Sequence, residues 1–384
     1  MDFELNEEQR LLKDSVERLL SDHYDFEQRK AYMKEPDGFH RDMWRRYAEL
    51  GILGLPFDEK HGGSGGGAVE TMIVAEAFGR ALALEPYLPT VVLAGGLLRH
   101  GGTNEQRGAI LPKVADGSLL LAFAHMERQS RYDLADVGAA AKRDGAAFVI
   151  NAEKSVVLNG EAADKLIVSA RVAGNRRERD GLALFIVDAG APGVTRRGYE
   201  TVDGLRAADI SFAQVKVGAE AVVGEAGAAL PLIERVVDEA IAALAAEAVG
   251  AMAVMHELTV DYLRTRRQFD RPIGSFQVLQ HRAVDMFVAL EQGRSMAMLA
   301  TMMAEEPDAA ERRKAIAAAK VQIGRSGRIV GHGAIQLHGG IGMTMEYKVG
   351  HYFKRVTAID TTFGDADHHL GALARTDGLV PSLS

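Results

Sequence analysis

Cysteine is absent from the 384 residues. That removes disulfides, thiolate metal sites and a thiol nucleophile together. An excess of basic charge is missing too: the formal net charge is −8, so no overall positive field exists to hold a nucleic-acid backbone. No stretch reads as a membrane span. The most apolar one, Ala240 to Met255, is alanine-rich, short and interrupted by Glu247, and reads as a buried helix. The start, Met1-Asp2-Phe3-Glu4, carries no basic stretch ahead of an apolar run and does not read as a secretion signal. A soluble, cytoplasmic chain with room for two or three domains is the expectation.

Asn6-Glu7-Glu8-Gln9 has the form of a capping box, and Leu11, Leu12, Val16, Leu19 and Leu20 follow on one helical stripe. Helical periodicity recurs around Met43 to Leu50, Val69 to Ala83 and Thr90 to Leu98. The glycine-rich piece from His61 to Gly67 lacks the Lys-Ser/Thr ending of a phosphate loop and follows no strand, so it reads as a flexible connector. From Leu119 to Val223 the pattern changes to short strands, among them Ala147 to Ile150, Lys165 to Val172, Leu182 to Val187 and Ile210 to Val217, with a turn at 190 to 193. Helical periodicity then returns, and Met296 to Met303 and Ala315 to Ile323 read as packed helices. The expected class is α+β and multidomain, with boundaries at 1–118, 119–226 and 227–384.

Two stretches carry chemistry. The first, Tyr262 to Met286, reads as a helix end, a break at Asp270-Arg271-Pro272, and a restart at Ser275. Arg264, Arg266 and Arg267 offer guanidinium forks to phosphate oxygens, and Gln277 offers both a donor and an acceptor. The second, Gln336 to Tyr347, contains Gly339-Gly340-Ile341-Gly342, where backbone N–H groups can approach a pyrophosphate with no Cβ in the way.

In this order the two stretches resemble the acyl-CoA dehydrogenases. The matching residues are Tyr262, Arg266, Gln268, Phe269, Phe276 and Gln277, then Gln336, Gly339, Gly340, Gly342, Glu346 and Tyr347; Asp270 stands where the family has glycine. The resemblance runs the full length. It implies a helical N-terminal domain, a β-barrel-like middle domain and a C-terminal four-helix bundle. It also implies FAD as cofactor, an acyl-CoA substrate, and an electron-transfer-flavoprotein-like acceptor. Arg266, Gln277, Gln336, Gly339 and Gly340 match positions that bind the ADP half of FAD, typically the FAD of a neighbouring chain.

The flavin side departs from the family. Its Thr-Glu-Pro appears as Met126-Glu127-Arg128; the threonine facing flavin N5 is Leu158 and the tryptophan beside it is Val156. The family's catalytic glutamate falls on Phe363, and the alternative base position on Ala240. A phenyl ring accepts no proton, although the Phe363 N–H can still donate to a thioester carbonyl. The catalytic base is therefore unknown, with Glu239 and Asp365 as the nearest carboxylates. The ending Phe-Gly-Asp-Ala-Asp-His-His is similar to that of the small subunits of two-subunit pimeloyl-CoA dehydrogenases, which pair with a large subunit. Two readings follow: dehydrogenation of an acyl-CoA, dicarboxylic thioesters included, within a homo- or hetero-oligomer, or a small subunit that completes the FAD site of a catalytic partner. An oxidase that passes electrons to oxygen is compatible with the same residues, and so is a binding module without flavin. Asp365, Asp367, His368, His369, His351 and His338 lack the spacing of a metal motif, so no metal is expected, and Asp365 or Asp367 reads as the N-cap of the last helix.

Overall fold

The computed structural model describes residues 5–376; the Met1-to-Glu4 start lies outside the described residues. The chain begins with α1 (Glu7–His23), α2 (Phe26–Tyr32), α3 (Arg41–Glu49), α4 (Ala68–Ala81), α5 (Gly95–Gly101) and α6 (Asn104–Ala115). Strands follow: β1 (Leu121–Ala124), β2 (Ala140–Asp144), β3 (Ala147–Leu158), β4 (Lys165–Arg171), β5 (Leu182–Asp188), β6 (Val194–Glu200), β7 (Arg206–Gly218) and β8 (Val222–Gly227). The last part is α7 (Leu230–Thr265), the ribbon β9 (Arg267–Gln268) and β10 (Arg271–Pro272), α8 (Gln277–Met303), α9 (Ala309–His338), α10 (Val349–Thr361) and α11 (Ala366–Thr376). The helical, β, helical order matches the periodicity. The capping box at Asn6 forms in full, with Gln9 N–H on its side chain and the Gln9 side chain on its own N–H.

The strands named from periodicity do not include β1, β2, β6 and β8. The Ala-Ala-Lys-Arg-Asp of β2 and the largely solvent-facing Val-Thr-Arg-Arg-Gly-Tyr-Glu of β6 carry little alternation of apolar residues. Strand order is β6-β7-β3-β2-β4-β5-β8, with β1 parallel to β4.

The described residues form two compact units. One gathers the chain up to Lys30, Ala68–Ala83, and everything from Ile241 onward. Within it α4 and α7 cross without side chains between them: a Cβ on Gly79 would lie 1.9 Å from the Glu247 carbonyl oxygen, and one on Gly250 2.0 Å from that of Glu76. The Glu247 carboxylate, the one charge inside the apolar stretch of α7, is held by Arg355 of α10, with Nη2 at 2.8 Å. No helix among the described residues is long and apolar enough to cross a membrane.

The other unit holds Ala31–Gly67 and Leu84–Ala240, and so the whole sheet. Here the glycine-rich piece is tied down rather than loose. The Gly63, Gly65 and Gly66 N–H groups donate to the carbonyls of Asp58, Phe57 and Leu55, and a Cβ on Gly63 would meet the Phe57 oxygen at 2.0 Å.

Candidate functional site

The two chemistry-bearing stretches meet in the first unit through their rings. Tyr262, near the end of α7, stacks on His338 at the end of α9 (centroids 4.7 Å apart), and His338 also touches Tyr347 (5.1 Å). Sequence separation is thus closed by aromatic contact. Beyond Tyr262 the helix stops at Thr265, before the break expected at Asp270, and α8 restarts at Gln277 rather than Ser275. Between them lies the hairpin β9–β10, whose two turn residues, Phe269 (φ 53°) and Asp270 (φ 60°), are both left-handed. That is the backbone of the tight hairpin turn. It explains why glycine suits position 270, and aspartate is among the residues that tolerate this region.

The Ile273 N–H donates to the Arg266 carbonyl at 2.8 Å, which folds the hairpin back and brings Arg266 close in the chain path to the first turn of α8. Gln277 is the first residue of that helix, where unpaired N–H groups favour an anion. Arg264, Arg266, Gln277, Gln336, Gly339 and Gly340 are all solvent-exposed. Arg267 is turned to its own hairpin, donating to the Asp270 carbonyl. Gly339 caps α9 with φ 64°, and a Cβ on either Gly339 or Gly340 would meet nothing within 4 Å. The result is an open, donor-rich surface of guanidinium, carboxamide and bare backbone, chemically suited to phosphate oxygens.

Phe363, at the position expected for the base, lies in the same unit. Half-buried, it forms with Gly364 a left-handed turn between α10 and α11, with φ of 58° and 108°. Asp365 serves as the cap of α11: its Oδ1 accepts the His368 N–H at 2.8 Å. His369 Nε2 lies 3.0 Å from the Phe363 carbonyl oxygen, so the ring nitrogen donates. Two of the other histidines considered as ligands also lie on carbonyls, His338 on that of Ala334 and His351 on that of Met345. Among the described residues no group of three potential ligands gathers to hold a metal ion.

Lys320 of α9 is buried, with its Nζ donating to the Ile359 carbonyl and, at 3.2 Å, to that of Asp360. Burial pushes its ammonium down to about 7 against the pull of Asp360 and Asp365. In the unfolded chain the group titrates near 10.5. The unfolded state therefore binds more protons between those values, and stability rises with pH across that window; below it Lys320 is a net cost. In urea denaturation the wild-type midpoint should rise from pH 7 to pH 9 more than that of Lys320→Met. Equal slopes would show that the amine is not desolvated.

In the second unit, the segments expected beside the flavin come together around a buried lysine. Lys154 Nζ donates to Glu127 Oε1 (2.7 Å), the His125 carbonyl (3.1 Å) and Ser169 Oγ (3.1 Å). Glu127 also accepts from Gln129 and from the Gly138 and Ala139 N–H groups. Burial lowers Lys154 to about 8, and burial aided by Lys154 lowers His125 to about 3. Burial would raise Glu127, but Lys154 and the donors outweigh it and hold the carboxylate below its usual range. A cavity of about 720 Å³ adjoins this network, lined among others by Glu127, Arg128, Lys154, Ser155, Asp209 and Ser211. Beside it β3 bulges, between Lys154 and Val157, and Val156 sits at φ 52° with the residue 43% exposed. A β-branched residue in that region is a strained exception. Leu158, two residues on, presents no hydroxyl.

Glu239, the other carboxylate considered as a base, accepts from Arg99 Nη2 (2.7 Å) and pairs with His100 Nε2 (2.8 Å). Burial would raise it, but His100 and Arg99 hold it below the carboxylate range. Sequence reasoning missed Lys154 and Lys320. For Lys320 a signal existed, since it falls four residues after Ile316 and four before Gly324 on the buried face of α9.

The chain is similar to known proteins along its length. The families described as acyl-CoA dehydrogenase N-terminal, middle and C-terminal domains match residues 6–118, 122–216 and 230–376. The probable acyl-CoA dehydrogenase YngJ of Bacillus subtilis is 27% identical over 98% of this chain and 99% of its own. Among solved structures, the Tcur3481-Tcur3483 steroid ACAD superposes with a TM-score of 0.87 at 31% identity, covering 97% of this chain and 98% of that one. The ChsE4-ChsE5 complex from Mycobacterium tuberculosis gives 0.88 at 26% identity over all of both chains.

Proposed function

Because the chain belongs to the acyl-CoA dehydrogenase family, whose cofactor is FAD, we propose that it is the small subunit of a two-chain dehydrogenase and completes the FAD site of a catalytic partner. The observation that carries this reading is Phe363. The residue at the base position has no proton acceptor, and the two carboxylates that stand near the family's base positions in the sequence are already engaged, Asp365 as a helix cap and Glu239 in ion pairs. Two of the similar structures are named for two components each, which supports a paired assembly.

The residues present fit the ADP half of FAD: an exposed guanidinium at Arg266, the start of α8 at Gln277, and the uncovered backbone at Gly339 and Gly340. They fit the flavin half poorly, with Leu158 in place of a hydroxyl and strained Val156 in place of an indole. When bound, FAD supplies the hydride acceptor for α,β-dehydrogenation of an acyl-CoA. This chain's part is to bind and neutralise the pyrophosphate and to present the Phe363 N–H to a thioester carbonyl. Pimeloyl-CoA and other dicarboxylic thioesters are the proposed substrate class, on the resemblance of the Phe363-to-His369 ending alone, and an electron-transfer-flavoprotein-like protein is the proposed acceptor.

The test is anaerobic addition of acyl-CoAs to the protein purified alone and then co-purified with a large subunit. Bleaching of the flavin band only in the pair is expected; rapid bleaching by the isolated chain would sink the proposal. Removing the phosphate forks gives a second check. Arg266→Ala should weaken FAD retention by the pair roughly tenfold or more, the weight of a charge-assisted contact, and Gln277→Ala by less. Unchanged flavin content in both would remove the ADP assignment.

A further inference from the structure

The turn that carries Phe363 is gripped by side chains that serve no other evident purpose. From α9, Lys320 reaches the terminal carbonyls of α10 at Ile359 and Asp360, where the negative end of that helix lies. Arg328, also on α9, holds the Asp360 carboxylate with Nε at 3.2 Å and Nη2 at 2.9 Å. The approach is close enough that a Cβ on Gly324 would lie 2.2 Å from Asp360 Oδ1. From α11, His369 donates to the Phe363 carbonyl, and its Nε2 would be 2.6 Å from any Cβ at Gly364. The turn is thus fixed at its entry by Lys320 and at its centre by His369.

We propose that Lys320 and His369 are positioning residues for the acyl thioester, holding the 362–365 turn so that the Phe363 N–H meets the thioester carbonyl. The inference rests on the reading of this chain as an acyl-CoA-binding subunit. Neither residue touches the ligand; each acts through the turn. A lysine costs a great deal to bury, and methionine of similar reach would fill the same volume at less expense. What methionine lacks is the donor to the two carbonyls. The charged groups facing Lys320 are Asp360 and Arg355 of α10 and Asp365 of the turn, and their net pull keeps the ammonium partly charged near neutrality. His369 is pushed down to about 4 by burial, so it is a neutral donor at physiological pH.

The experiment compares two ligand sets on the FAD-loaded assembly: saturated acyl-CoA thioesters, and matched S-alkyl-CoA thioethers that lack the carbonyl. Lys320→Met and His369→Leu should each raise the dissociation constant for thioesters roughly tenfold, one hydrogen bond's worth, and leave that for thioethers unchanged. His369→Gln, which restores a donor, should recover most of the loss. Thermal unfolding identifies any variant that fails to fold, and the histidine pair then carries the decision. Equal weakening for both ligand sets, or no weakening of either, overturns the positioning role while wild-type binding leaves the functional reading standing. Absence of thioester binding by the wild-type assembly overturns both.

Discussion

Phe363→Glu should raise the rate at which acyl-CoA bleaches the flavin of the FAD-loaded isolated chain by about 10²–10⁴-fold, the usual weight of a positioned general base. The backbone for it already exists. Phe363 lies at φ 58°, and the turn is closed by Gly364 and the His369 contact, so glutamate inherits the position without new backbone strain. Left-handed geometry costs any L-residue about 1–2 kcal/mol, a penalty phenylalanine already bears. The loss of a half-buried ring is a stability cost of about 1–2 kcal/mol, too small to unfold the chain. Stopped-flow absorbance under anaerobic conditions measures the rate. Adding Leu158→Thr restores the second missing group and should accelerate reduction further, because a donor near developing charge acts in the transition state. If Phe363→Glu binds FAD and acyl-CoA but reduces no faster than wild type, the family's base position does not serve this chain and attention returns to Glu239.

How far the sequence alone reaches depends on the range of the interaction. The interruption of the helix after Tyr262 and the bare backbone at Gly339-Gly340 are legible from local rules, since proline breaks a helix and glycine leaves no Cβ, whereas Arg266, Gln277 and Gln336 stand out only through the family resemblance. The ring contacts that bring the two stretches together, Tyr262 on His338 and His338 on Tyr347, follow from tertiary packing and were not readable. Carboxylates divide along the same line. The cap that Asp365 forms on the His368 N–H is a local contact and legible as an N-cap, while the engagement of Glu239 by Arg99 and His100 depends on elements folded against it. The glycine-rich piece from His61 to Gly67 looked flexible by composition, yet its N–H groups satisfy the carbonyls of Leu55, Phe57 and Asp58. The buried lysines run against composition rules, because lysine is ordinarily a surface residue, and only the spacing of Lys320 between Ile316 and Gly324 on α9 marks it as an exception.

Glu127→Ala should cost about 3–5 kcal/mol of the stability of the β unit, because it leaves the Lys154 ammonium buried without its carboxylate. The side chain of Lys154 is wholly inaccessible, and the remaining partners, the His125 carbonyl and Ser169 Oγ, are neutral acceptors that cannot replace a charge. Two backbone donors at Gly138 and Ala139 would be stranded as well. The Glu127 attraction opposes the burial that brings Lys154 down to about 8, so its removal drives the lysine further toward the neutral amine. The pH dependence separates the stranded charge from the stranded backbone donors. Lys154 titrates lower folded than unfolded, so its penalty grows as pH falls toward its folded value and shrinks toward the unfolded value of about 10.5. The deficit of Glu127→Ala in urea midpoint should therefore be larger at pH 7 than at pH 9. Glu127→Ala/Lys154→Met, which removes both charges, should recover most of the loss, since a buried pair is worth little against an apolar replacement of its volume. A single substitution within about 1 kcal/mol of wild type would mean that the network is not dry. Recovery by the double variant with flavin binding intact would show that the pair shapes the fold beside the cavity and takes no direct part in holding the cofactor.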